Sequence, residues 1–426
     1  MVQIANKTKR YPFDFDERGV GAVRAAGTHL RMDDKMAPLG WGTRMGEQQR
    51  NIKLGLLALG VFHLVYFCFD IYGSTIGIKG VLYADGNPVG GDFINLWTAA
   101  KLVLADRVSD IYRVGDFMAY QRTITGGTDI YVRLWAYPPH SLLLIWPFGL
   151  VGYYTALAVW SAAGLMVLAA GAWRCGFDRT EIAIILLSPA TILNLYYGQT
   201  GSFATGALLL AVSARSKGDP VSVGSSALLT IKPQAGFLLP VIWAFQRRWR
   251  MIAYTACCTI VVAILAVAVF GVEPWRDYVG DTLPTLSRLE REGNGAFMMM
   301  IPSMFMSLRI LTGDWAFAFG AHACFAIAVG IIVALRLWQV QDARRQLAMM
   351  LFATALMTPY IHNYDLAILL CGALLVARRW ASAQKQPFGI DLLILMAWAL
   401  PQLVFLFNRA GVPISPLVIL PLLLLA

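Results

Sequence analysis

Charge is what this chain has least of. Only 14% of its 426 residues are Asp, Glu, Lys or Arg, against 58% that are hydrophobic, and its mean hydropathy is +0.60. A soluble domain cannot hide that much apolar surface, so the composition excludes a free globular enzyme and indicates a polytopic membrane protein. The six cysteines (Cys68, Cys175, Cys257, Cys258, Cys324 and Cys371) form no CxxC pair and sit mostly within or beside apolar segments. That pattern argues against a disulfide framework or a zinc site and leaves inert, buried thiols. The net charge of +10 comes with no basic run interleaved with aromatics, so nucleic acid is not an expected partner. The Lys and Arg fall instead in short clusters between apolar segments, as the positive-inside rule describes. No cleavage-type signal peptide is expected either, because about 50 polar residues precede the first apolar run. Residues 1–53 carry ten Lys/Arg against six Asp/Glu and are expected to form a cytoplasmic tail near anionic lipid headgroups.

What is present is a succession of apolar segments. Residues 54–73 can span with some tilt, and residues 74–137 then form a long external loop. Within it Phe93, Leu96, Trp97, Ala100, Val103 and Leu104 recur at helical spacing, which predicts an amphipathic helix at the interface, opened by Asp92. The next run, YPPHSLLLIWPFGLVG, is short and bounded by prolines. If it crossed, the basic clusters at 173–179, 215–217 and 246–250 would all face outward, so it is expected to dip in from outside as a half-helix. Spans are then expected at 153–172, 180–196, 201–214, 221–232, 234–246 and 251–271. A second external segment, 272–314, contains another re-entrant stretch, and spans at 315–337, 347–360, 364–377, 388–407 and 412–426 complete the domain. The expectation is an all-α bundle of about twelve transmembrane helices over residues 54–426, with both ends cytoplasmic. Several spans fall short of the roughly 20 residues a straight crossing needs, so their ends must be buried in protein or line a wet cavity. No internal repeat of the inverted-transporter kind is visible.

This topology gathers the unusual polar residues on the outer side: Asp92, Tyr137, Gln199, Lys232, Arg309, His362 and Asp365. Ionisable groups at membrane depth are costly and usually face a cavity or a partner. Asp92, with Asn95 three residues on, has the look of a helix N-cap; a carboxylate in a partly dry pocket is also what a general base requires. Lys232, in TIKPQ between two short apolar arms, reads either as a lysine snorkelling or paired with an acid, or as a phosphate site beside a broken helix. His362 can close a turn or, next to Asp365, present an oriented imidazole. Gln199, between Gly198 and Gly201, can bond a helix end or a sugar hydroxyl. Arg309 is either a headgroup snorkel or a phosphate ligand. The Asp14–Asp16 pair fits the spacing of a metal-nucleotide-sugar motif but lies in the polar tail, and His63, Cys68 and Asp70 do not share a helix face; no metal site is expected.

The order GDF, YPP, GQ, KP and TP...H..YD resembles glycosyltransferase family 87, the membrane mannosyltransferases of the GT-C class that use polyprenyl-phosphate sugars. The resemblance runs from about residue 88 to about residue 380. It implies a GT-C-type bundle that transfers a sugar, mannose being the family's best-known one, from a lipid-linked monophosphate to a hydroxyl of a glycolipid or glycan. The site would lie on the periplasmic side of a bacterial inner membrane, and no cofactor would be needed. By the same resemblance Asp92 is the catalytic base of the first external loop, Lys232 and Pro233 are the family's Lys-Pro, Gly198 and Gln199 its Gly-Gln, and His362 belongs to its His-containing turn. The family often has SP and a Trp before that His, where this chain has MTPYIHNYDL. A flippase or transporter of a lipid-linked or anionic substrate also needs cations at broken helices. A polysaccharide polymerase or ligase would favour an Arg-rich external loop, and residues 272–297 instead balance Arg276, Arg288 and Arg291 with Glu273, Asp277, Asp281, Glu290 and Glu292.

Overall fold

The computed structural model describes residues 47–426 apart from 215–217, 294, 382, 384 and 385. The Asp14–Asp16 pair, most of the expected tail and the basic cluster at 215–217 lie outside the described residues. Every regular element described is helical, apart from two isolated bridges at Lys79–Leu82 and Leu82–Pro88.

Among the described residues, five helices are long and apolar enough to cross a membrane: Glu47–Thr75, Tyr153–Arg174, Trp249–Phe270, Trp315–Gln339 and Ile390–Arg409. At 1.5 Å per residue, helices of about 20 residues reach across the roughly 30 Å hydrocarbon layer. Their outer faces are apolar and exposed, as at Ile260, Val261, Ile264, Ile327 and Ile331, which is the surface that lipid covers. These features make the chain an integral membrane protein.

Ala343–Met357 and Ala367–Ala381 pack against each other and are buried on nearly all sides. A helix apolar all round belongs in a protein interior, where neighbouring helices take the place of lipid. The connection between them, residues 358–366, is therefore held at the end of two well-enclosed helices.

The expected span at 180–196 is two helices, Arg179–Leu186 and Pro189–Tyr196. Ser188 caps the second through the backbone N–H of Thr191, and Pro189 occupies its first turn, where a missing N–H costs nothing. The expected half-helix after Tyr137 is a run of short turns, Pro139–Ser141, Leu142–Ile145 and Trp146–Leu150, laid against Phe93–Leu104. The first helix starts at Glu47, so Lys53 lies inside it.

One end of the bundle is tied by buried ion pairs. Glu181 is fully buried and accepts from the Arg378 fork, from Lys53 at 2.9 Å and from the backbone of Asp178. Arg174 forms a second buried pair with Asp219, 45 residues further along the chain. Arg174 ends the helix that Tyr153 begins, and Arg378 lies in the last turn of the helix that follows Asp365. The remaining polar side chains of interest sit at the opposite ends of these two helices.

Candidate active site

Three loop segments interlock there: 88–93, 196–201 and 362–365. The Asp92 N–H donates to the Tyr197 carbonyl at 2.9 Å, and Tyr153 donates from its hydroxyl to Val89 at 2.6 Å. Gly198 has a φ of +57°, and a side chain there would collide with Phe93 and with the Gly90 carbonyl. At Gly201 a Cβ would meet the Tyr364 carbonyl at 2.5 Å and the Asp365 carboxylate at 2.8 Å. Glycine at these two places lets three backbones meet without side chains between them, which holds the polar groups they carry in one cluster.

Asp92 occupies the position before the Phe93–Leu104 helix but makes no side-chain cap hydrogen bond. Its carboxylate turns the other way. One oxygen accepts from Nη1 of Arg133 and the other from the amide of Gln199, and the side chain remains 27% exposed. The helix that follows does bury Phe93, Leu96 and Ala100, as its spacing predicts, and leaves Leu104 exposed.

Next to this pair lies a second one. Lys232 Nζ is 2.5 Å from the Asp365 carboxylate and 3.4 Å from the Thr200 hydroxyl, which in turn shares a 2.8 Å hydrogen bond with the Tyr137 hydroxyl. Gln199 and Thr200 are consecutive, so the turn they form joins the Asp92–Arg133 pair to the Lys232–Asp365 pair. Burial works against the Lys232 ammonium, but Asp365 and Tyr137 outweigh it and its pKa ends above the ordinary lysine value. Lys232 is thus charged and paired with an acid, one of the two roles open to it from sequence. Burial also raises the Tyr137 phenol, which is therefore a neutral hydroxyl.

His362 stacks on Tyr364 with ring centroids 5.0 Å apart and touches Phe297 at 4.4 Å. Burial lowers its pKa to about 4, with Asp365 pulling upward and Lys232 downward. The imidazole is neutral near pH 7. It can therefore exchange hydrogen bonds but brings no positive charge to a phosphate, and its Nε2 is buried with no partner among the described residues.

Six of the seven residues singled out from sequence converge here: Asp92, Tyr137, Gln199, Lys232, His362 and Asp365. Arg309 does not join them. Its guanidinium donates to the carbonyls of Glu290 (2.9 Å), Arg291 (3.0 Å) and Gly293 (2.6 Å), closing the C-terminal end of the Leu283–Glu292 helix. Sequence reading missed Arg133. Its only signal was an arginine in the apolar-aromatic stretch IYVRLWAYPP, four residues before Tyr137.

The arrangement offers a half-open carboxylate able to take a proton, two cations within a few side chains of it, and neutral hydroxyl, amide and imidazole groups between them. The sequence profile described as glycosyltransferase family 87 matches residues 135–359, more than half of the chain. The match includes Tyr137, Gln199 and Lys232, while Asp92, His362 and Asp365 fall outside it. No curated protein matches, and no solved structure matches.

Proposed function

The chain belongs to glycosyltransferase family 87, and from that premise we propose that it moves a sugar from a polyprenyl-phosphate donor to a hydroxyl of a glycolipid or glycan, with Asp92 as general base. The observation that carries this reading is the Asp92 carboxylate: it is held by two side chains, partly exposed and not spent on capping its own helix.

In the transfer, the acceptor oxygen bonds to the anomeric carbon as its proton passes to Asp92. The bond from that carbon to the phosphate oxygen breaks, and polyprenyl monophosphate departs. The donor phosphodiester carries one negative charge and the departing monoester carries two, so cationic and hydrogen-bonding groups are needed where that charge develops. Lys232 supplies a charge there, and Thr200, Tyr137 and the neutral His362 supply hydrogen bonds. Gln199 holds Asp92 and faces sugar hydroxyls; Asp365 keeps Lys232 charged and oriented. We assign no metal to the step, and mannose is the first sugar to try, on the family resemblance.

In this reading the short apolar helices, such as Gly201–Val212, Pro220–Ile231 and Ser415–Leu425, complete the crossings begun by the five long ones, giving about twelve spans. The turns from Pro139 to Leu150 dip into the outer leaflet and border a slot for the polyprenyl tail. The site then faces the periplasm from a bacterial inner membrane, because the basic clusters lie at the other end.

The test uses purified protein in nanodiscs with radiolabelled polyprenyl-phosphate-mannose and a membrane lipid extract, comparing wild type with Asp92→Asn. Label transfer by wild type that falls by about 10²-fold or more in a folded Asp92→Asn protein supports the assignment. Equal transfer by both proteins removes Asp92 from the chemistry.

A further inference from the structure

Arg133 holds the Asp92 carboxylate and has bonding capacity to spare. Nη1 is its single guanidinium nitrogen with a hydrogen-bond partner among the described residues, and that partner is the Asp92 carboxylate. Nε is buried with no partner among the described residues, and the side chain is only 17% exposed. Leaving a buried, charged donor unsatisfied is costly, so the unused edge of this guanidinium is suited to an acceptor that arrives with the substrate. The segment that carries it, residues 128–136, has no regular structure, and it runs from Gly127 to the Pro138–Pro139 turn. Trp135, buried two residues on and donating to Ser141, anchors the segment, so Arg133 does not swing freely.

We propose that Arg133 binds the phosphate of the lipid-linked donor through this unused edge while keeping hold of Asp92, so that one side chain touches both the base and the leaving group. This rests on the transferase reading above and extends it. Charge balance gives the reason. During transfer Asp92 gains a proton and loses its negative charge, while the phosphate changes from a singly charged diester to a doubly charged monoester. One unit of negative charge thus moves from one partner of Arg133 to the other. A guanidinium in contact with both keeps an anionic partner from start to finish, and its planar fork suits two oxygen acceptors side by side in a way an ammonium does not. Lys232, by contrast, keeps Asp365 as a fixed counter-ion that takes no part in the proton transfer.

The experiment titrates a polyprenyl monophosphate, the departing product, into wild type, Arg133→Gln, Arg133→Lys and Asp92→Asn in nanodiscs, and measures sugar transfer in parallel. Arg133→Gln is expected to bind the monophosphate about 10-fold or more weakly, the loss of one charge-assisted hydrogen-bond pair. Arg133→Lys is expected to recover part of that affinity, and Asp92→Asn, which loses a competing anion, to bind at least as tightly as wild type. In the transfer assay Arg133→Gln should show a raised donor KM together with a lowered kcat, partly restored by free guanidinium at a sub-denaturing concentration. Wild-type affinity for the monophosphate in Arg133→Gln overturns the proposal. Should that variant not fold, Arg133→Lys decides, and an unchanged donor KM and kcat in it overturn the proposal equally. If Asp92→Asn still transfers sugar, the base assignment fails, while the binding titration reports on Arg133 independently.

Discussion

The two ends of this bundle use the same ion-pair chemistry in opposite ways. At one end Glu181 is buried completely and every bond it offers is taken, by Arg378, by Lys53 and by the Asp178 N–H. At the other end Asp92 stays partly open, and among the described residues the Nε of Arg133 has no partner and the Nε2 of His362 has none. The same two helices, Tyr153–Arg174 and Ala367–Ala381, connect the ends, so the contrast does not come from different scaffolds. Saturated pairs lock helices in place. Unsaturated ones leave bonding capacity for something that is not part of the chain.

The strongest way to break this contrast is to injure each end separately. Asp92→Asn should lower transfer by about 10²-fold or more with little change in melting temperature, because its partners are polar and the site is partly open. Arg378→Ala should do the reverse. It leaves buried Glu181 with Lys53 as its remaining cation and is expected to cost about 3–5 kcal/mol of stability, seen as a lowered thermal midpoint in detergent, with the rate per folded molecule preserved.

Lys232 sharpens the comparison because it belongs to both categories. Lys232→Gln should reduce transfer and also destabilise the fold, since Asp365, buried among the same loops, loses its counter-ion. The Lys232→Gln/Asp365→Asn double variant, with no charge on either side, should regain most of the stability and none of the activity. Thermal unfolding and transfer assays on the three proteins separate the two roles.

The smallest effect concerns His362. Its folded pKa of about 4 lies below the ordinary histidine value of 6.5, so the native state holds the neutral ring and the unfolded chain binds the extra proton between those two values. Stability is therefore complete above pH 6.5, declines as pH falls towards 4 and then levels off, a loss of up to about 3 kcal/mol. The difference in thermal midpoint between pH 7 and pH 4.5 should shrink in His362→Gln.

Much of this site was legible in the sequence because its parts are short motifs in which glycine and proline fix the backbone. GGDF, YYGQTG and the turn around Tyr364 meet at backbone distance, and that meeting requires glycine at 198 and 201. Hydropathy likewise reveals the long lipid-facing helices. The break between Arg179–Leu186 and Pro189–Tyr196 was also written in the chain, since Ser188–Pro189 is an N-cap followed by a first-turn proline, but the uniform apolar character around it hid the signal. Three features could not be read. The partner of Lys232 lies 133 residues away, Arg133 carries no motif of its own, and Arg309 is used up by carbonyls of a neighbouring helix end. Each depends on which loops fold over which helix ends, and periodicity says nothing about that.

The most direct measurement is single-turnover sugar transfer by Asp92→Asn and by Arg378→Ala, each at a matched concentration of folded protein in nanodiscs. Loss of transfer in the first with retention in the second is the predicted result. Transfer by Asp92→Asn at the wild-type rate would contradict the assignment of the unsaturated end as the catalytic one.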